Sequence, residues 1–286
     1  MPTPGRLTDY DRIASDYDRR YEILEYAGVR DALLSFIADS HAILEVGCGT
    51  GHWLATLGAR LKPSRREDEH SPAGRDDRTR AAAQERRARA SAGHLIVGLE
   101  PSVEMIARAR PSAPDARVVR GRAEALPWGE ATFDRVYCVN ALHHFSDRAQ
   151  FFAEARRVLR PGGGLITIGK DPHTERDTWW VYDYFPETLE IDRQRFARVR
   201  VLRGEMTLAG FSWSESFEAD RIEGLRSATD ALATGIVHRA FTSQLSVLTD
   251  AEFDSGVARM RAANEVAGGE LQLVTDFCLF ATVGWV

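Results

Sequence analysis

Ala42-Ile43-Leu44-Glu45-Val46-Gly47-Cys48-Gly49-Thr50-Gly51, followed by His52-Trp53-Leu54-Ala55-Thr56-Leu57, decides how this chain folds. The apolar run stops at glycines and a helix-compatible pattern takes over, which predicts a buried strand, a glycine turn and a helix. Glycines directly after a buried strand let the backbone approach a ligand closely and aim amide groups of the next helix at it. The spacing is Gly-x-Gly-x-Gly. It differs from the Gly-x-Gly-x-x-Gly of dinucleotide sites, and no Gly-Lys-Ser/Thr follows to cradle a triphosphate. Any tight strand-to-helix turn can use glycine, so the rest of the chain has to decide.

The same alternation returns downstream. Strands are expected near 94–100, 116–120, 133–139 and 163–169, with helices over 102–110 and 147–160, and such alternation implies a parallel sheet covered on both faces. Pro161-Gly162-Gly163-Gly164 ends the second of these helices and turns the chain into the fifth strand. Upstream, Tyr10, Ile13, Ala14, Tyr17 and Tyr21, then Val29, Leu33, Leu34, Phe36 and Ile37, fall largely at helical spacing and predict two helices over 9–38. Residues 62–92 hold eight arginines and almost no large apolar residue, which predicts a disordered surface insertion, partly helical around Arg80 to Arg89. After Lys170 come Trp179-Trp180-Val181-Tyr182-Asp183-Tyr184-Phe185, helical stretches near 187–209 and 225–265, and a last strand from Leu271-Gln272-Leu273-Val274 and Phe277 to Val283.

The 286 residues can bury a sizeable core at 44% hydrophobic content, and a net charge of −5 with a pI near 5.9 lacks the basic balance of nucleic-acid binders. Nucleic acid is therefore not the expected partner. Cys48, Cys138 and Cys278 are odd in number, widely spaced and set in apolar segments, which predicts buried thiols and a cytoplasmic location. The N-terminus lacks an apolar signal region and no apolar run reaches the roughly 18 residues needed to span a bilayer, so membrane insertion is not expected.

Further segments follow in order: Val97-Gly98-Leu99-Glu100-Pro101-Ser102 with Met105; Gly121-Arg122-Ala123-Glu124-Ala125-Leu126-Pro127; Phe133-Asp134-Arg135-Val136 with Asn140-Ala141-Leu142-His143-His144-Phe145; and Arg157-Val158-Leu159-Arg160-Pro161-Gly162-Gly163. Together with the glycine turn this series resembles the class I S-adenosylmethionine-dependent methyltransferases of small-molecule type, a group that includes ubiquinone and menaquinone biosynthetic enzymes. The resemblance covers roughly residues 9–170, and more loosely Leu208-Ala209-Gly210-Phe211 and the last strand. It implies an α/β fold: a Rossmann-like, seven-stranded, mostly parallel sheet with helices on both faces and helical substrate-cap elements. The expected organisation is an N-terminal helical lid over 1–40, a cofactor-binding core over 41–170 and a C-terminal part over 171–286 with the acceptor cap and the last strands.

The resemblance also implies S-adenosyl-L-methionine as cofactor, a small-molecule methyl acceptor as partner and no required metal. Glu100 would accept hydrogen bonds from two ribose hydroxyls, as suits a carboxylate facing two donors. It lies 55 residues after Glu45, where about twenty is usual, and the 62–92 insertion accounts for the excess. Gly47, Cys48, Gly49 and Gly51 would form the cofactor turn and Glu45 would help position the methionine end. Pro101 and Met105 follow Glu100, Ala123 and Glu124 would lie beside the adenine, and Asn140, Ala141 and Leu142 would line the methionine side. Tyr10 and Tyr17, seven residues apart, share a helix face that either covers the pocket or simply packs. Arg122 stands where the family often has Asp, and a donor-only arginine cannot accept the adenine amino group.

His143 or His144 is the candidate general base, with His173 behind them, because a neutral imidazole near pH 7 accepts a proton from a hydroxyl or activated carbon. Packing is the alternative role for both. The aromatic segment 171–196 either caps an acceptor pocket or belongs to the core, and an exposed aromatic patch would suit a homodimer or the acceptor equally. Two other classes compete: an inactive methyltransferase-like nucleoside-binding scaffold, and a nucleotide-dependent oxidoreductase, which the glycine spacing disfavours.

Overall fold

Ile43 and its neighbours are buried because five strands lie side by side in parallel around them: β1 (Ala42–Val46), β2 (Leu95–Glu100), β3 (Arg117–Arg120), β4 (Phe133–Val139) and β5 (Leu159–Gly169). The computed structural model describes residues 8–61 and 94–286, so the insertion expected at 62–92 lies outside the described residues. Two-residue periodicity sends alternate side chains to opposite faces. Ile43, Tyr137, Val139, Ile166 and Ile168 enter one apolar cluster; Leu44, Val46, Val136, Cys138 and Leu165 enter the other.

Three more strands complete the sheet: β6 (Thr178–Trp179), β7 (Trp213–Ser227) and β8 (Gln272–Trp285). The order is β3-β2-β1-β4-β5-β8-β6, with β7 paired to β8, and all pairings of β8 are antiparallel. The sheet has eight strands where the resemblance implied seven: beyond the six placed in the sequence it holds β7 and the two-residue β6. The final strand is continuous, and β7, adjacent to the stretch expected to be helical from 225, runs to Ser227 instead. It is an edge strand with only Ile222 fully buried, so its polar, solvent-facing sequence carries little strand signal.

The N-terminal part forms three helices where two were expected: α1 (Tyr10–Ile13), α2 (Arg19–Ile23) and α3 (Ala27–Ile37). The helix ends after Ile13, where the Ser15 hydroxyl bonds the Asp16 carboxylate and Asp18 bonds Thr50, so Tyr17 sits in a turn and the expected shared helix face does not exist. The covering helices are α4 (His52–Leu61), α5 (Val103–Ser112) and α6 (Arg148–Val158). Beyond β5 follow α7 (Trp180–Tyr184), α8 (Glu187–Arg195), α9 (Val199–Leu208), α10 (Ala228–Ala233), α11 (Ser243–Ser246) and α12 (Asp250–Val266). No helix among the described residues is long and apolar enough to cross a membrane. All three cysteines are buried free thiols, and burial pushes Cys138 up to about 12.

Candidate active site

Strand order reverses between β1 and β4, and the C-terminal ends of strands at such a switch point are the usual ligand position in these sheets. The glycine turn is stitched to β2 there: the N–H groups of Gly47 and Cys48 donate to the Leu99 carbonyl at 2.8 and 3.1 Å. Gly47 has φ +77°, and a Cβ on it would stand 2.5 Å from the Ala141 Cβ. The turn and the Asn140–Ala141 segment therefore meet only because position 47 lacks a side chain. Asn140 itself has φ +49°, a strained conformation of the kind concentrated at functional sites.

A cavity of about 650 Å³ opens over this turn. Of the predicted site residues, Tyr10, Tyr17, Glu45, Gly47, Cys48, Gly49, Glu100, Pro101, Ala123, Glu124, Asn140, Ala141, His143 and His144 line it. Gly51, Met105 and Leu142 do not. Gly51 lies against the Ala109 backbone, Met105 is fully buried beneath Ile13 and Tyr17, and Leu142 faces a separate small recess. His173 is away from the cavity, with its Nε2 3.0 Å from the Phe196 carbonyl.

Glu100 is 6% exposed at the end of β2. Its Oε2 accepts the Gly49 N–H at 3.0 Å and its Oε1 the Ser102 N–H at 3.1 Å. Burial raises its pKa, opposed by those two bonds. Glu45, paired in register with Tyr137, accepts that tyrosine's hydroxyl at 3.0 Å, and burial pushes its carboxyl well above the ordinary range. Glu124 is occupied by Ser146, whose N–H and Oγ both donate to Oε1 at 2.7 Å, while Arg122 pairs with its other oxygen at 3.4 Å.

The N-terminal segment closes over the cavity through three polar contacts: Tyr10 with His144, Asp18 with Thr50, and Asp11 with Ser102. Tyr10 and Tyr17 meet edge to face with ring centroids 5.7 Å apart. His143 stacks on Phe196 at 3.9 Å. Both histidines stay neutral: burial, then the charges of Arg195 and Arg20, depress His144 to about 3, and the same influences together with His144 hold His143 well below the ordinary value.

Sequence reasoning missed the two arginines. Arg20 places its guanidinium carbon 3.7 Å from the Tyr17 ring centroid and donates to the Tyr21 hydroxyl at 2.9 Å, while Arg195 reaches the cavity from the end of α8. Neither belongs to a motif, and only the fold brings them together. The aromatic segment is mostly core: Trp179, Trp180, Tyr182 and Phe185 pack with β8 and the C-terminal helices.

Residues 80–167 match the methyltransferase domain family. Among curated relatives, phthiotriol/phenolphthiotriol dimycocerosates methyltransferase of Mycobacterium leprae is 35% identical over 162 residues, covering 57% of this chain and 49% of that protein. Demethylmenaquinone methyltransferase of Lactiplantibacillus plantarum is 28% identical over 170 residues, covering 56% and 60%. The chain spans about half or less of the length of the first curated relatives it matches. Among solved structures, a proposed methyltransferase from an antibiotic biosynthesis pathway of Anabaena variabilis superimposes with a TM-score of 0.61 at 19% identity, covering 89% of this chain and 95% of that one. Phosphoethanolamine N-methyltransferase 2 of Haemonchus contortus, solved with S-adenosyl-L-methionine, gives 0.51 at 14% identity, covering 96% and 57%. The chain thus carries a match to the methyltransferase domain family on the fold of the class I S-adenosylmethionine-dependent methyltransferases.

Proposed function

We propose that this protein transfers a methyl group from S-adenosyl-L-methionine to a small molecule. The observation that carries the proposal is Glu100, a carboxylate at the end of β2 tied to the Gly49 amide and bordering the cavity over the glycine turn. Each carboxylate oxygen has a second lone pair free after its backbone bond, which suits a ribose with two hydroxyl donors. The cavity lies within the roughly 300–1,000 Å³ of small-molecule sites and leaves room for an acceptor beside the cofactor. The glycine turn is a cradle that a Cβ would fill, and the Arg20 Nε, buried without a partner, supplies a donor for a carboxylate near the turn.

When bound, the cofactor supplies an electrophilic methyl on a sulfonium. The protein's own work is to hold, align and exclude water. Gly47, Cys48 and Gly49 shape the floor; Glu45 balances positive charge at the methionine end; Ala123 and Glu124 flank the adenine; Asn140 and Ala141 bound the methionine side. Tyr10 and Tyr17 close the top, and orientation of this kind accounts for about 7–11 kcal/mol in well-aligned reactions. His143 and His144 stand at the cavity wall as neutral imidazoles, but the burial and positive charges that depress them make both poor general bases, and a packing or hydrogen-bonding role fits them better. Methyl-labelled cofactor incubated with panels of phenols, carboxylates, amines and quinols tests the proposal through acceptor-dependent release of S-adenosylhomocysteine. Release with at least one panel member supports it, and none from a cofactor-binding protein returns the inactive scaffold to the front. Replacing each histidine with Gln separates roles: a base requires a changed pH profile of turnover, whereas packing alone alters stability without moving that profile.

A further inference from the structure

Beside the main cavity lies a recess of about 30 Å³ that shares Asn140, His143, Arg148 and Arg195 with it and is also walled by Thr167 and Lys170. Thr167 Oγ1 and Arg195 Nε and Nη1 are closed to solvent and without a hydrogen-bond partner. Both residues are deeply buried: Thr167 is 3% exposed and the Arg195 side chain 5%. Buried polar groups are ordinarily satisfied, so this many orphans around one small space point to a missing partner. Arginine is a donor only and a threonine hydroxyl can donate, so the missing partner is an acceptor.

The resident carboxylates do not fill that role. Asp192 is bound by Arg195 Nη2 at 2.5 Å, the Tyr182 hydroxyl at 2.8 Å and Gln244 Nε2 at 2.8 Å. Asp177 pairs with Lys170 Nζ at 3.3 Å, and the ammonium stands 4.0 and 4.1 Å from the Trp179 and Phe277 ring centroids, so Lys170 is already partnered away from the recess. Arg148 is held by Glu205 through Nε and Nη2. The cofactor's own carboxylate is expected elsewhere, because the recess lies at the end of β5 and none of Tyr17, Glu45, Gly47 or Gly49 borders it.

Building on the methyltransferase reading, we propose that the methyl acceptor carries a carboxylate, which seats in this recess on Arg195 and Thr167 while the rest of the molecule extends into the main cavity. A carboxylate offers about four lone-pair sites and matches the guanidinium fork. It enters past Asn140 and His143, two of the four residues that border both spaces.

The test is calorimetric titration of the protein saturated with S-adenosylhomocysteine, using pairs that differ only in charge: benzoate and benzamide, salicylate and salicylamide, 4-hydroxybenzoate and 4-hydroxybenzamide. At least one carboxylate is expected to bind about tenfold or more tightly than its amide, as a charge-assisted bidentate contact implies. Arg195→Gln should abolish that preference while S-adenosylhomocysteine still binds, and Arg195→Lys should retain part of it. Should Arg195→Gln not fold, Thr167→Val serves, with an expected loss of carboxylate affinity of about threefold. Equal binding of carboxylate and amide in every pair, or a preference that survives Arg195→Gln, overturns the proposal and leaves the recess to ordered water. Loss of S-adenosylhomocysteine binding in folded Arg195→Gln alone overturns it too, by assigning the guanidinium to the cofactor. Failure of the wild type to bind S-adenosylhomocysteine is a distinct result that overturns the methyltransferase reading itself.

Discussion

Replacing Glu100 with Gln changes one oxygen into an amide nitrogen and leaves the volume almost untouched. In the protein the two carboxylate oxygens accept from Gly49 N–H at 3.0 Å and from Ser102 N–H at 3.1 Å. Whichever way the amide turns, its NH2 faces one of these donors, so one backbone bond and one acceptor toward the cavity disappear together. A hydrogen bond to a charged group contributes about 1.5–3 kcal/mol, which sets the expected loss of cofactor affinity at roughly 10- to 150-fold. Removing a buried charge offsets much of the lost Gly49 or Ser102 bond, so the melting temperature of the free protein should change little. Calorimetric titration of wild type and Glu100→Gln with S-adenosylhomocysteine, with melting curves alongside, checks both halves. A variant that melts like the wild type and binds within about threefold of it refutes the ribose-binding role of Glu100.

Gly47→Ala is expected to destabilise the protein and weaken cofactor binding, because the new Cβ would lie 2.5 Å from the Ala141 Cβ at φ +77° and the backbone conformation alone costs about 1–2 kcal/mol; denaturant midpoints and titration measure both. Tyr10→Phe removes the hydroxyl that meets His144 and should speed cofactor release about fivefold, equivalent to about 1 kcal/mol, as followed by stopped-flow displacement. Cofactor binding should release protons: burial raises Glu45 well above its ordinary value, positive charge beside it favours the ionised form, and affinity therefore rises with pH through that raised value. Binding enthalpies that are identical in buffers of different ionisation enthalpy would contradict this. Asp134 is pushed up by burial but held below its ordinary value by Arg160 and the N–H groups of Ala42 and His41. Its stabilisation is accordingly present above the unfolded-state pKa and lost as pH falls through the folded-state value, and Asp134→Asn should cost about 1–3 kcal/mol at neutral pH by denaturant titration.

The core strands were legible because burial on both faces leaves unbroken apolar runs ending at glycines, as in Ala42–Val46. β7 was not, since an edge strand with one face in water, reading Trp213-Ser214-Glu215-Ser216-Phe217-Glu218, lacks such a run. The N-terminal segment was half legible. Tyr10 and Tyr17 do border the cavity, yet they meet across a turn rather than along one helix face. Most motif residues line the cavity because their spacing follows from strand ends gathering at one edge of the sheet. Arg20 and Arg195 have no such local signature: one follows a turn, the other ends a helix of mainly polar residues, and only tertiary packing makes them neighbours of His144.

The most direct test of the account is titration of the wild-type protein with S-adenosyl-L-methionine, with S-adenosylhomocysteine and NADH in parallel. One-to-one binding of the first two and none of NADH is the expected result. A folded protein that binds neither S-adenosyl-L-methionine nor S-adenosylhomocysteine would contradict it.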